Sequence, residues 1–320
     1  MYLYRALAGT CALVATLALG QQDYPAKPVR IIISYSAGGT TDVIGRKVAE
    51  RLTAIWKQPV IVENKPGAGG TLGTDYVATQ PADGYTLLMS SPGPIVISPS
   101  LPKKLATDPL NDIVPIILVA DVANVLVVSP ELGIHSMEDL VKRGKEKPGE
   151  ASYASTGVGT VAHLCGAQFS HMMGFEAVHV PYKGAGAVTD VMTGRVQFMF
   201  ATLPSVVGQI KAGKLRALGQ VAQRRFKTLP DVPTMKELGV QGMENGSWFG
   251  LFAVKGTPQP VMDKINAQVN AILREKEVQD FLESQGADPA GGSAQDYARV
   301  IRSNYEMWRP VIQRANVQAD

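Results

Sequence analysis

Two stretches decide how this chain folds: residues 28–52, PVRIIISYSAGGTTDVIGRKVAERL, and residues 151–169, ASYASTGVGTVAHLCGAQF. Each reads as a strand, then a turn of small residues, then a helix start. Where a strand feeds a helix through such a turn, the first helical N–H groups have no intrahelical acceptor and face outward. A carboxylate or phosphate can settle on them. The two turns, Gly38-Gly39-Thr40 and Gly157-Val158-Gly159-Thr160, lie more than a hundred residues apart. If they belong to different domains, they describe one small anion gripped from both sides of a cleft.

Working outward, β-branched apolar runs recur at 28–35, 59–63, 85–89, 113–120, 124–129, 177–182, 196–200 and 215–221. These are the buried strands of an α/β fold. Between the first two, Ile44, Val48, Leu52 and Ile55 mark the core face of a helix, with Thr40 or Thr41 as N-cap and Asp42 in its first turn. Near the end of the chain, Thr257-Pro258 opens a helix bearing Val261, Ile265, Val269 and Ile272. Ser293 to Asp296 resembles a capping box ahead of Tyr297, Val300, Ile301, Tyr305 and Trp308. Both helices are expected to cover the first domain's sheet. Crossings between domains are expected near Val119 to Asn124 and near Gln220 to Gln223. That places 21–120 and 222–320 in a discontinuous domain 1 and 121–221 in domain 2.

Residues 1–20 carry Arg5, an apolar run and a small-residue ending at Gly20, the pattern of a cleaved secretory signal. The mature chain is expected to begin at Gln21 in the periplasm, as a monomer. Cys165 is then the one remaining thiol, and on an apolar helix face it reads as core filling. The net charge of +3 has no basic runs, which argues against nucleic acid as partner. His135, His163, His171 and His179 lack metal-site spacing. Gly208 to Leu215 imitates a phosphate loop, but Leu215 stands where Ser or Thr would hold the metal. The GVGTVA run at 157–162 imitates a dinucleotide fingerprint but lacks the ribose-binding acid. No nucleophile, base and metal converge, so neither enzyme activity nor a cofactor is expected.

The succession YSAGGTTD, ENKPGAGGTLG, ADGYTLL, DPLNDIVPI, STGVGTVAHL, VPYKGAG, GRVQFMF, LPSVVGQIKAGKLRALG, LPDVPTMKELG and WFGLFAVKGTP resembles the Bug-type solute receptors of tripartite tricarboxylate transporters. The resemblance covers nearly the whole mature chain. It implies a two-domain periplasmic-binding-protein architecture of type II (Venus flytrap) with a hinge of two crossing segments. It further implies a small carboxylate as ligand and inner-membrane transporter subunits as partners, with presentation to a membrane sensor kinase as the alternative.

The binding loops it implies are Tyr35, Ser36, Ala37, Gly38, Gly39, Thr40, Thr41 and Asp42 in the first domain and Ser155, Thr156, Gly157, Gly159 and Thr160 in the second. Ser90, Ser91, His163, Tyr182, Ala201 and Thr202 are expected to line the cleft. For Asp42, a dipole-satisfying first-turn acid and a ligand contact both stay open, as for His163 a helix residue bonding the turn before it and a ligand contact. Tyr35, Ser36 and Ala37 make the first loop more polar than in many relatives, and Tyr35 can equally be an aromatic wall. Ala201 stands where relatives often carry Asp, which tilts the expectation toward a simple carboxylate. Charge-assisted hydrogen bonds of roughly 1.5–3 kcal/mol each and a helix N-terminus worth about 0.3–1 kcal/mol suffice for micromolar affinity without an arginine.

Overall fold

The computed structural model describes residues 24–102, 105–183, 186–244 and 246–314. The expected signal segment and its cleavage point lie outside them. Eleven strands are present among these residues: β1 (Val29–Ile33), β2 (Val60–Asn64), β3 (Thr86–Ser90), β4 (Ile113–Val122), β5 (Asn124–Val128), β6 (Ser152–Ser155), β7 (Val178–Pro181), β8 (Phe198–Thr202), β9 (Arg216–Val221), β10 (Ser247–Val254) and β11 (Ala287–Pro289). They form two mixed sheets, in the orders β11-β4-β10-β3-β1-β2 and β7-β6-β8-β5-β9. The helices are α1 (Thr40–Trp56), α2 (Thr71–Ala78), α3 (Pro109–Asp112), α4 (Met137–Glu146), α5 (Val161–Met173), α6 (Gly186–Met192), α7 (Leu203–Lys211), α8 (Gln259–Leu273), α9 (Lys276–Ser284) and α10 (Ala294–Arg314). This is the two-domain α/β architecture expected from the sequence.

In the first sheet β1 runs parallel to β2 and β3. Side chains on both of its faces are buried, which is why Ile31, Ile32 and Ile33 follow one another without alternation. On α1, Ile44, Val48 and Leu52 are buried as their spacing requires, but Ile55 is 40 % exposed. Trp56 is buried in its stead, its ring edge on Tyr24 and its indole N–H donating to Gln268. The capping box ahead of α10 forms: Asp296 N–H donates to Ser293 Oγ (3.1 Å) and Ser293 N–H to Asp296 Oδ2 (2.9 Å). β10 is the one long strand that β-branched runs do not reveal. Its sequence, SWFGLFAV, is buried throughout but relies on aromatic residues and on Gly250, which gives way to the Tyr297 ring.

The chain leaves the first sheet at Val122 and enters the second at Asn124. The return lies further on than Gln220 to Gln223. Beyond β9 the chain stays against the second sheet, because the buried Gln220 side chain donates to the carbonyls of Leu229 (2.9 Å) and Val232 (2.7 Å). The Gln220 backbone also pairs with Pro233 and Met235, and Gln168 on α5 holds Gly242 O (3.0 Å). Only at Gly246 does the chain pass back into β10. A Cβ there would lie 2.3 Å from Val122 O and 3.1 Å from Val221 O, so the crossing strands are packed backbone on backbone.

Candidate functional site

A cavity of about 600 Å³ lies between the two sheets. It is walled by the loops that follow β1, β2 and β3 on one side and β6, β7 and β8 on the other, the carboxyl ends at which open α/β sheets place ligands. Of the residues expected at the site, Tyr35, Ser36, Ala37, Gly38, Gly39, Thr40, Thr41, Ser91, Thr156, Gly157, Tyr182 and Thr202 line it. Asp42, Ser90, Ser155, Gly159, Thr160, His163 and Ala201 stand behind that lining. Ser90 is buried against Ser34 (3.0 Å).

The N-cap of α1 is Gly39, and no side chain caps it. The threonines expected there are drawn elsewhere: Thr40 is the first helical residue, and its hydroxyl bonds Thr202 of the second domain at 2.7 Å. The start of α1 therefore opens into the cavity uncapped. Asp42 is occupied sideways. Its carboxylate accepts Gly38 N–H (2.9 Å), Arg46 Nε (2.9 and 3.0 Å) and Asn64 Nδ2 (2.9 Å). Burial alone would raise its pKa, but these donors outweigh burial and hold it below the usual value. Of its two open readings, the geometry supports the acid that braces the loop.

Tyr35 is half-buried in the cavity wall, and desolvation pushes its hydroxyl up to about 12. It donates to Gly69 O (3.1 Å) and accepts from Ser91 Oγ (2.9 Å). It thus ties the first loop to a second one that the sequence reading left out of the site, Gly67-Ala68-Gly69-Gly70. All four residues have positive φ, which accounts for three glycines in a row of four. Gly69 sits directly under the opposite domain: a Cβ would fall 2.3 Å from Val158 O. The KPGAGG composition signals a tight turn, yet nothing in it signals that the turn reaches across a cleft.

The second loop is built differently from the first. Gly157 N–H donates to Ser155 Oγ (3.1 Å) and Gly159 N–H to His163 Nδ1 (3.3 Å). Thr160 caps α5 by accepting His163 N–H (3.4 Å), and its hydroxyl donates to Gly157 O (2.8 Å). This loop spends its Gly157 and Gly159 amides and the Thr160 hydroxyl on its own turn. Replacing Thr160 by Val should therefore cost the cap, roughly 0.5–2 kcal/mol, as a lowered Tm. Affinity should change by less than threefold in calorimetry; a tenfold loss at unchanged Tm would put the hydroxyl on the ligand.

His163 is buried, its ring parallel to that of His179 with centroids 3.7 Å apart. Burial first, and the neighbouring His179 second, bring its pKa down to about 3. The imidazole is neutral, with Nδ1 the acceptor for Gly159, so it shapes the loop from behind. A folded value below the ordinary 6.5 means that the unfolded chain binds the extra proton. This contribution to stability is complete above about pH 6.5 and lost as pH falls toward 3, at about 1.4 kcal/mol per pH unit. Thermal melts of His163→Gln should show a shallower acid slope than the parent. Two positions away on α5, Cys165 is buried and burial pushes its thiol up to about 12, as befits an inert core residue.

Across the cleft the domains touch: Ser36 Oγ donates to Lys183 O (2.9 Å) alongside the Thr40–Thr202 pair. Among the described lining residues Lys183 is the one charged side chain, and none is acidic. The start of α7 also faces the cavity through Thr202 and Ser205, with no side-chain cap on its backbone. No cluster of His, Cys, Asp or Glu able to hold a metal exists among the described residues. Nor is any helix among them long and apolar enough to cross a membrane.

Two α/β domains closing on an anion-tolerant cavity through uncapped helix starts define a solute-binding protein. The family model described as the tripartite tricarboxylate transporter family receptor matches residues 44–317, and the chain belongs to that family. It is 36 % identical to BugT of Bordetella pertussis over 297 residues, covering 92 % of this chain and 91 % of that protein. Among solved structures it resembles Rpa4515 of R. palustris with adipate (TM-score 0.90, 33 % identity, 92 % of this chain and 99 % of the other). It also resembles MatC of Rhodopseudomonas palustris with bound malate (TM-score 0.86, 28 % identity, 90 % and 100 %).

Proposed function

We propose that this protein is a periplasmic receptor that takes a small carboxylate between its two domains and delivers it to the membrane subunits of a tripartite transporter, without chemical turnover. The observation that carries this reading is the uncapped start of α1. It opens into a cavity with no acidic side chain among its described lining residues and is met from the other domain by the Thr202 hydroxyl. A carboxylate placed on the Thr40 and Thr41 amides would gain the helix-terminus term and charge-assisted bonds together. The adipate and malate in the related structures are ligands of that chemistry.

On this reading the first domain comprises 21–122 and 246–320, and the second 124–244. The crossings at Ala123 and Gly246 are the hinge, and ligand contacts to both domains hold the closed state. Residues 1–20 are a signal removed before Gln21. Isothermal titration with adipate and with malate tests the ligand class. Saturable binding of at least one acid at micromolar concentration is expected, with both recovered unchanged. Failure of these acids and of other di- and monocarboxylates to bind would overturn the proposal.

A further inference from the structure

Two histidines hold the second loop from behind, and one of them, His179, lies on a different strand from the loop itself. It belongs to β7, the edge strand of the second sheet, where it pairs in register with Tyr153 of β6. Side chains alternate along a strand. Val178 is 56 % exposed, whereas the half-buried His179 ring turns the other way and stacks on Tyr153 (centroids 5.0 Å apart) and on His163 of α5 (3.7 Å, 5° between planes).

Hydrogen bonds decide which ring atoms are used. Ser155 is completely buried, and its Oγ lies 2.6 Å from His179 Nε2, 3.0 Å from Gly157 O and 3.1 Å from the Gly157 amide nitrogen. A hydroxyl has one proton to give. Gly157 O already accepts the Thr160 hydroxyl at 2.8 Å, so the Ser155 proton goes to the nearer His179 Nε2 while its oxygen accepts Gly157 N–H. His163 uses its other ring nitrogen, Nδ1, to accept Gly159 N–H. Both glycine amides of the loop are thus anchored to one stacked pair of rings, Gly157 through Ser155 and Gly159 directly. The peptide held between these anchors is the one the first domain meets: a Cβ on Gly157 would lie 3.3 Å from Gly69 Cα, and a Cβ on Gly69 2.3 Å from Val158 O.

We propose that His179 is a positioning residue for ligand binding, acting through Ser155 to hold Gly157 and Val158 where the Gly69 turn closes on them. His179 does not itself line the cavity. Its stack with His163 makes the two anchors one piece, so the loop meets the first domain already shaped. This rests on the carboxylate reading of the cleft and adds to it the device that sets the second loop for closure.

The test is calorimetry of the full mature chain with adipate, malate and other mono- and dicarboxylates, followed by variants with the acid that binds best. His179→Phe keeps a stacking ring without Nε2 and should weaken binding roughly 5- to 50-fold, the span of one buried hydrogen bond lost from the closed state. Ser155→Ala should lose a similar factor, and the double variant should stay within about twofold of either single one, because residues that act through one contact are not additive. His179→Gln, whose amide oxygen can accept the Ser155 hydroxyl, should recover part of the loss. Nitrogen NMR of the parent's histidine rings in mildly alkaline buffer gives a readout that needs no variant to fold: His163 should carry its proton on Nε2 and His179 on Nδ1. Losses that multiply in the double variant, variants that bind as tightly as the parent, or a His179 proton on Nε2 would overturn the role of His179 alone. A parent that binds none of the carboxylates would overturn the carboxylate reading with it.

Discussion

Gly69→Ala should weaken carboxylate binding by about 10- to 100-fold while the protein still folds. The added methyl would sit 2.3 Å from Val158 O, a backbone atom of the opposite domain that no rotamer change can move. The neighbouring Ala68 already holds a Cβ at φ 47°, so the backbone penalty at Gly69 (φ 64°) should be only about 1–2 kcal/mol. The damage falls on closure. With the domains held apart, the Thr40–Thr202 and Ser36–Lys183 contacts cannot form, and a ligand loses the contacts that distinguish the closed state from the open one. Small-angle scattering should show a variant that stays extended at ligand concentrations that compact the parent. Unchanged affinity together with normal compaction would mean that Gly69 does not lie under the second loop when the ligand is bound.

The second large effect concerns the crossing strands. Gly246→Ala should destabilise the protein by about 1–3 kcal/mol, the usual cost of overpacking, because its Cβ would meet Val122 O at 2.3 Å and Val221 O at 3.1 Å. Neither carbonyl can yield without separating strands that carry the chain between domains. The contrast is Gly208→Ala, where a Cβ would meet nothing within 4 Å; that helical position should be neutral or slightly stabilised. Thermal melts of both variants decide the matter. Equal Tm values would show that the crossing has slack and that the hinge is not packed backbone on backbone.

Much of the first loop was legible because a strand of three isoleucines followed by Gly38 and Gly39 admits few readings. What the sequence could not reveal was which side chains those loops spend on themselves. Thr40 looks like a cap and Thr160 looks like a ligand hydroxyl; the structure gives Thr160 the cap and turns Thr40 toward Thr202. The choice depends on what the other domain presents, and periodicity carries no information about that. Ile55 and Trp56 exchanged roles for the same reason, since Tyr24 and Gln268 arrive from distant positions. Gly69 was missed altogether. It reads as a turn glycine and acquires its meaning only when two crossings bring the sheets face to face.

The account stands or falls on where a carboxylate sits. A crystal structure of the mature protein with adipate, or with whichever dicarboxylate binds best, tests it most directly. One carboxylate is predicted within hydrogen-bond distance of the Thr40 and Thr41 amides at the start of α1, enclosed between Gly69 and the loop from Thr156 to Val158. A ligand bound outside this cavity, or one whose carboxylates avoid the α1 amides, would contradict it.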